Sequence, residues 1–236
     1  MRLMVGCPVS HRDWILPLWH EHVVKAAEGV TDDLKFIFLA SPDDTETIRV
    51  CEEITPFVVK HRQPPREDVR TWNTLRYEDM KEYRNRLLKE VRQHRPDFFL
   101  SLDSDILLHP EAIKGMLEVY TDKSSKGCWA VGGKTYMTVV GRSCPSYGQW
   151  RESNHNCGIK REEYSDVLMV DVIMAIKLMS PAAYNVSYAF HHWGEDLGWS
   201  SNVRALGGKL WWDGRYVNKH VMERKQLDLI DPRCGF

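Results

Sequence analysis

"FFLSLDSDILLHPEAI", residues 98–113, is the stretch that decides the fold. A five-residue strand runs into Asp103-Ser104-Asp105, and apolar residues resume at once. A buried carboxylate without a partner costs several kcal/mol, on the order of a third of a domain's net stability. The pair must therefore be neutralised by a metal, by a basic side chain or by bulk water. In an extended stretch Asp103 and Asp105 point to the same side, because side chains alternate with period two. Two like charges there repel unless a cation lies between them or a turn separates them. Hard divalent cations such as Mg2+ and Mn2+ take oxygen ligands and bridge carboxylates to phosphates. Capping of a helix that starts near Pro110 would explain one aspartate, but not two placed directly after an apolar strand.

Outward from this stretch, strand and helix patterns alternate. "RLMVGCPV" predicts a first strand, and an amphipathic helix follows over about 13–28. "LKFIFLAS" predicts a second strand, after which Asp44 or Thr45 caps a helix through Ile54. "FVVK" is a third strand, and 61–77, with two prolines and mixed charge, is a surface loop. A helix spans about 78–93, another opens at His109-Pro110-Glu111, and "CWAVGGKTYM" and "VLMVDVIMAIKLM" are strands. Ser180-Pro181 caps a further helix, and "KLWWDGRYVNKHVM" closes with one or two strands, Asp213-Gly214 marking a turn. This order implies an α/β fold with a mostly parallel central sheet and helices on both faces. Such sheets bind ligands beyond the C-terminal ends of their strands. Pro8 to Ser10, Ser41 to Asp44 and Asp103 to Asp105 should then converge on one crevice.

The chain has 236 residues, enough for one large α/β domain or two small ones. Its 32 Lys and Arg against 33 Asp and Glu give a net charge of -1, which argues against a dominant nucleic-acid footprint. No run of eighteen apolar residues occurs, so no transmembrane segment is expected. The first hydrophobic run is too short for a signal peptide, and the six cysteines lack CxxC spacing. A cytoplasmic protein with reduced thiols is the expectation.

A second constellation lies in "HHWGEDLGWSSNVRALGGKLWWDGRYVNKH". Gly194-Glu195-Asp196 opens a helix that runs to about Leu206 and ends at Gly207-Gly208. Acidic residues favour a helix N-terminus through the dipole, and that alone could account for Glu195 and Asp196. Alternatively, one of them is a general base for an acceptor hydroxyl. Trp193 and Trp199 beside them are either an aromatic platform or core.

Apolar strand, D-x-D, helix, further strands, a Trp-Gly-Glu-Asp segment and a late histidine, in that order, resemble glycosyltransferases of the GT-A fold. The likeness is to the family-two group and its relatives, and it spans about residues 2–222. It implies one Rossmann-like domain over 1–236, with a nucleotide-sugar-binding half over about 1–110, an acceptor-binding half over about 111–222 and a tail over 223–236. It further implies that Asp103 and Asp105 hold a divalent cation, Mn2+ or Mg2+, on the donor's diphosphate, with His220 as third ligand. Asp196, with Glu195 adjacent, would be the base, and an inverting reaction is expected. "EYRNRLLKEV" resembles the Arg-Asn pair that begins the helix before D-x-D in these enzymes. It places Arg84 on the donor side with Pro8, Ser10, Arg12, Asp43, Asp103 and Ser104. Trp193, Gly194 and Trp199 would face the acceptor.

The donor would be a UDP- or GDP-sugar, and the acceptor a saccharide, a protein side chain, a small molecule or a hydroxylated nucleic-acid base. The polar insertion over 141–162 lies outside the family pattern, and its Cys144, His155 and Cys157 are three candidate zinc ligands without close pairing. Two other readings are a sugar-phosphate nucleotidyltransferase and a non-catalytic nucleotide-sugar-binding module. The first usually carries a glycine-rich basic loop after the first strand, which "GCPVSHRDW" lacks. The second would be expected to have lost a metal ligand or the base, and all are present.

Overall fold

The structure, a computed structural model, describes residues 1–62, 74–139, 142–145, 147–153, 156–160 and 166–229, with side chains for all of these except 137–160 and 228–229. In the first half, β1 (Arg2–Val9), β2 (Asp33–Ala40), β3 (Val58–Lys60) and β4 (Phe98–Leu102) alternate with α1 (Leu16–Ala27), α2 (Thr45–Ile54) and α3 (Thr74–His94). After β5 (Ile106–Leu107) and α4 (Ala112–Lys123) come β6 (Cys128–Val139), β7 (Arg142–Pro145), β8 (Tyr147–Ser153) and β9 (Asn156–Lys160). Then follow β10 (Val167–Val170), β11 (Val172–Ile173), β12 (Ile176–Met179), α5 (Pro181–Tyr184), α6 (Glu195–Ala205) and β13 (Lys209–His220).

The main sheet has the order β10-β13-β6-β12-β4-β1-β2-β3, with β5 added to β13 and β7 to β6. β3, β2, β1 and β4 run parallel, and β12 is antiparallel to both β4 and β6. β13 runs parallel to β6, so the sheet is mostly parallel, as expected. β11, β8 and β9 form a separate small sheet.

The period-two pattern divides the core. Leu3, Val5, Cys7 and Val9 of β1 join Phe36 and Phe38 of β2 and Leu100 and Leu102 of β4 beneath α1, α2 and α4. Met4, Ile37, Leu39 and Phe99 face the opposite way, beneath α3, α5 and α6. Strands apolar on both faces are what a sheet covered by helices on both sides requires.

Several boundaries differ from the sequence reading. "VLMVDVIMAIKLM" is three short strands instead of one, broken at Asp171 and at Met174-Ala175. Asp213-Gly214 is not a turn: β13 continues through it, and a register shift against β6 between Asp213 and Val217 absorbs the irregularity. The Ser180-Pro181 helix lasts four residues. Residues 74–77, expected in a loop, already belong to α3, while 63–73 lie outside the described residues. The 141–162 insertion contributes β7, β8 and β9, and the zinc candidates in it fall outside the described side chains. Cys7, Cys51 and Cys128 are buried free thiols.

Helix α6 carries the second acidic constellation and is seated by a glycine. A Cβ on Gly198 would lie 2.0 Å from the carbonyl oxygen of Ala189, a distance no side chain tolerates. Because the obstacle is backbone, Gly198→Ala must push α6 outward. Overpacking of this kind costs roughly 1–3 kcal/mol or more. Urea unfolding should show a loss of at least that size, and an unchanged midpoint would refute the close seating of α6.

Candidate active site

Three loops meet beyond the C-terminal ends of β1, β2 and β4. Asp44 caps α2 by accepting from the amide of Thr47, and its other oxygen accepts from the amide of His11 at 2.6 Å. The Arg12 amide donates to Thr47 Oγ1 at 3.1 Å, and the Arg12 guanidinium reaches Asp105 Oδ2 at 3.0 Å. His11 takes a left-handed backbone, φ 53°, inside this knot. The segments after β1, β2 and β4 thus form one continuous floor.

Asp103 and Asp105 do not share a side. The strand ends at Leu102, and Ser104-Asp105 form a turn closed by the Ile106 amide on the Asp103 carbonyl at 3.1 Å. Asp103 continues the row of Phe99 and Ser101 and faces α3, where Arg84 Nη2 donates to its Oδ1 at 2.9 Å. Asp105 turns toward Arg12 and His220. The turn relieves the repulsion, and each carboxylate has a cationic partner within the chain.

Arg84 is nearly buried and sits mid-helix in α3, not at its start. Its Nε donates to Glu195 Oε1 at 2.9 Å, its Nη1 to Ser101 Oγ at 3.3 Å, and Asp196 Oδ1 lies 4.0 Å from Nε. It therefore joins the D-x-D turn to the start of α6. Asn85, the next residue, accepts from the amide and donates to the carbonyl of Tyr188, fixing the chain that leads into α6.

At that helix start, Gly194 has φ 119°, a conformation side chains rarely adopt. Glu195 is buried against Arg84. Burial and the charge of Asp196 push its carboxyl up, against the pull of Arg84. Asp196 is more open and pairs with Lys177 Nζ at 2.7 Å. Burial would raise its carboxyl, but Lys177 and Arg84 outweigh that and hold it below its ordinary range. Of the two acids, Asp196 has the more accessible side chain.

The remaining candidates divide. Pro8 is paired within β1, Ser10 and Asp43 are exposed at the crevice rim, and Ser104 is buried in the turn. Asp43 stands 4.0 Å from Arg62. Trp193 is 58% exposed and available to a ligand. Trp199 is fully buried and stacks on Tyr188, with ring centroids 5.8 Å apart. Its ring is core, which excludes the acceptor role expected for it.

The fit of a divalent cation can be judged at Asp105 and His220. His220 Nδ1 lies 3.0 Å from the carbonyl oxygen of Tyr136, which can only accept, so Nδ1 carries the proton. In the neutral ring Nε2 is then a bare lone pair, 3.5 Å from Asp105 Oδ1. Such a backbone anchor on the remote nitrogen is the usual second contact of a metal-binding histidine. Two ligand atoms bound at about 2.1 Å and near right angles stand about 3 Å apart, close to what is seen here. Asp105 and His220 fit a cation. Among the described residues no three His, Cys, Asp or Glu side chains converge on one point, so Asp103 is not a third ligand in this arrangement.

No protein-family model matches the chain, and no curated protein matches it. Solved structures do. Glucosyl-3-phosphoglycerate synthase from Mycobacterium tuberculosis, in complex with Mn2+, UDP and phosphoglyceric acid, matches with TM-score 0.55 and 15% identity over 97% of this chain and 73% of that one. S. aureus TarS 1-349 in complex with UDP-GlcNAc matches with TM-score 0.53 and 13% identity over 94% of this chain and 60% of that one. The fold is GT-A. At such identities the likeness establishes the architecture, and the chemistry has to come from the side chains.

The sequence reading missed Lys177 and the stapling role of Asp44, and it gave Asn85 no contact of its own. Lys177 did leave a signal, as the only charged residue in the apolar run 172–179. The hub predicts a measurable coupling. Arg84→Met strands Asp103 and Glu195 and should cost about 3–5 kcal/mol in urea unfolding, the usual penalty for removing one partner of a buried ion pair. Adding Glu195→Gln should return at least about 1 kcal/mol relative to the sum of the single variants. Strict additivity would show that the two groups do not interact.

Proposed function

We propose that this GT-A protein is a divalent-cation-dependent, inverting glycosyltransferase that moves a sugar from a nucleotide-sugar donor to an acceptor hydroxyl. One observation carries the reading. A cation-compatible pair, Asp105 and His220, and a partly open anionic carboxylate, Asp196, are joined through the D-x-D turn and Arg84 at the strand ends. Support also comes from the ligands of the structural neighbours, UDP with Mn2+ in one and UDP-GlcNAc in another.

In this reading Asp196 takes the proton of the acceptor hydroxyl as that oxygen bonds to the anomeric carbon. The bond from the anomeric carbon to the diphosphate breaks, and its electron pair leaves with the nucleoside diphosphate. Asp105 and His220 would hold the cation, which when bound supplies Lewis-acid stabilisation of the diphosphate's negative charge. Arg12, 26% exposed on its side chain and beside Asp105, is placed to meet a diphosphate oxygen. The exposed indole of Trp193, two residues before Glu195, borders the acceptor side. Among the described residues no helix is long and apolar enough to cross a membrane.

A donor screen tests the proposal. UDP-, GDP- and other activated sugars are incubated with and without Mn2+, and nucleoside diphosphate release is measured. Release from one donor, abolished by EDTA and restored by Mn2+ or Mg2+, is the expected result. Asp196→Asn should retain nucleotide binding while transfer falls about 10^2- to 10^4-fold, the usual scale for a general base. Asp105→Asn and His220→Ala should each weaken Mn2+ binding, read directly by electron paramagnetic resonance. Pyrophosphate release from a nucleoside triphosphate and a sugar phosphate, with no donor hydrolysed, would instead indicate nucleotidyl transfer.

A further inference from the structure

Lys177 takes no part in the reaction as derived so far. It stands in β12 among the buried apolar residues Ile176, Leu178 and Met179, and its side chain has no exposed surface. A group so enclosed cannot touch a substrate. The register pairs it with Ser101 of β4 on one side and Gly132 of β6 on the other, which puts it on the face covered by α3 and α6. From there Nζ donates to the Met174 carbonyl at 3.1 Å and to Asp196 Oδ1 at 2.7 Å. Burying an ammonium is costly, and an apolar residue of similar volume would avoid that cost.

The counterpart is equally asymmetric. Among the described residues, Asp196 makes its polar side-chain contacts through Oδ1 alone, to Lys177 and, at 4.0 Å, toward Arg84. The groups facing Asp196 are Lys177 from β12, Arg84 from α3, Glu195 on its own helix and the phenol of Tyr188 from the chain before α6. Lys177 itself also feels Asp103 from the D-x-D turn.

We propose that Lys177 is a positioning residue for the transfer: it grips Asp196 by one oxygen from within the sheet and leaves the second oxygen for the acceptor hydroxyl. The proposal rests on the reading of Asp196 as the base. Pairing with the ammonium keeps that carboxylate ionised well into acid, at the expense of some basicity. Without Lys177, the titration midpoint of Asp196 should rise by about one to three pH units, the usual effect of removing an adjacent opposite charge. A base must be ionised to act, so the acid limb of the pH–rate profile should rise with it.

The experiment begins with the protein alone. Carboxyl carbon-13 resonances of aspartate-labelled protein are followed against pH in the wild type, Lys177→Met and Lys177→Arg. The expected result is a raised Asp196 midpoint in Lys177→Met, restored to the wild-type position by Lys177→Arg. The acid limb of diphosphate release from the donor found in the screen should move upward by the same amount. Lys177→Gln, which keeps a polar group, replaces Lys177→Met should the latter not fold. If neither neutral variant folds, Lys177 is a structural residue and the proposal fails. It also fails if the Asp196 midpoint stays in place or if the acid limb ignores a midpoint that has moved. Undiminished transfer by Asp196→Asn would overturn the base itself, an outcome distinct from failure of Lys177 alone.

Discussion

The guanidinium of Arg84 is the contact on which the site depends. It joins its own helix α3 to two other elements: Ser101 and Asp103 at the end of β4, and Glu195 at the start of α6, 111 residues away. Arginine suits this position for a physical reason. Its planar fork offers several donors in fixed directions and stays charged when buried, whereas a lysine would present a point charge to one partner at a time. Removing water from such a cluster is costly, so it persists only if each carboxylate keeps its hydrogen bonds. The hub therefore fixes the distance between the D-x-D turn and the acidic helix.

Around that hub the carboxylates are partnered unequally, and the inequality sets their charge states apart. Asp103 and Glu195 share one cation, and Glu195 is pushed up by burial and by its neighbour Asp196. Asp196 has an ammonium of its own and remains anionic. Two adjacent acids at one helix start thus acquire different states from what lies beneath them. Glu195 ties the helix to α3, and Asp196 keeps the more accessible side chain of the two. The ring of Tyr188 lies 5.7 Å from the Arg84 guanidinium and 5.8 Å from the Lys177 ammonium, within cation–π reach of both.

Much of this was legible before the structure, and the failures have a common cause. Alternating strands and helices gave the sheet, because period and turn chemistry are local properties. D-x-D, the Gly-Glu-Asp helix start and His220 were visible as residue types at strand and helix ends. Pairings were not visible. That Arg84 reaches Glu195, 111 residues away, or that Lys177 lies opposite Ser101, follows from sheet order and register, which the one-dimensional pattern does not contain. Trp199 was misjudged for the same reason. Its neighbourhood in sequence is polar, and only its burial against Tyr188 shows that it faces inward. The two aspartates were expected on one side because a strand was assumed to continue through them. Closure of the Ile106 amide on the Asp103 carbonyl turns the chain instead.

The question raised by those aspartates has a two-part answer. Asp103 is neutralised inside the chain by Arg84, and Asp105 is held by Arg12 on one oxygen. The other oxygen of Asp105 faces His220 Nε2, and there the chain leaves a choice open. With Nδ1–H committed to the Tyr136 carbonyl, Nε2 either carries a second proton and completes an ion pair or remains a lone pair beside a negative oxygen. Burial disfavours the charged ring, yet Asp105 more than compensates and raises the affinity of His220 for that proton. Under the proposed function, a divalent ion held by Asp105 and His220 would take the place of that proton and leave the ion pairs of Arg84 and Lys177 intact.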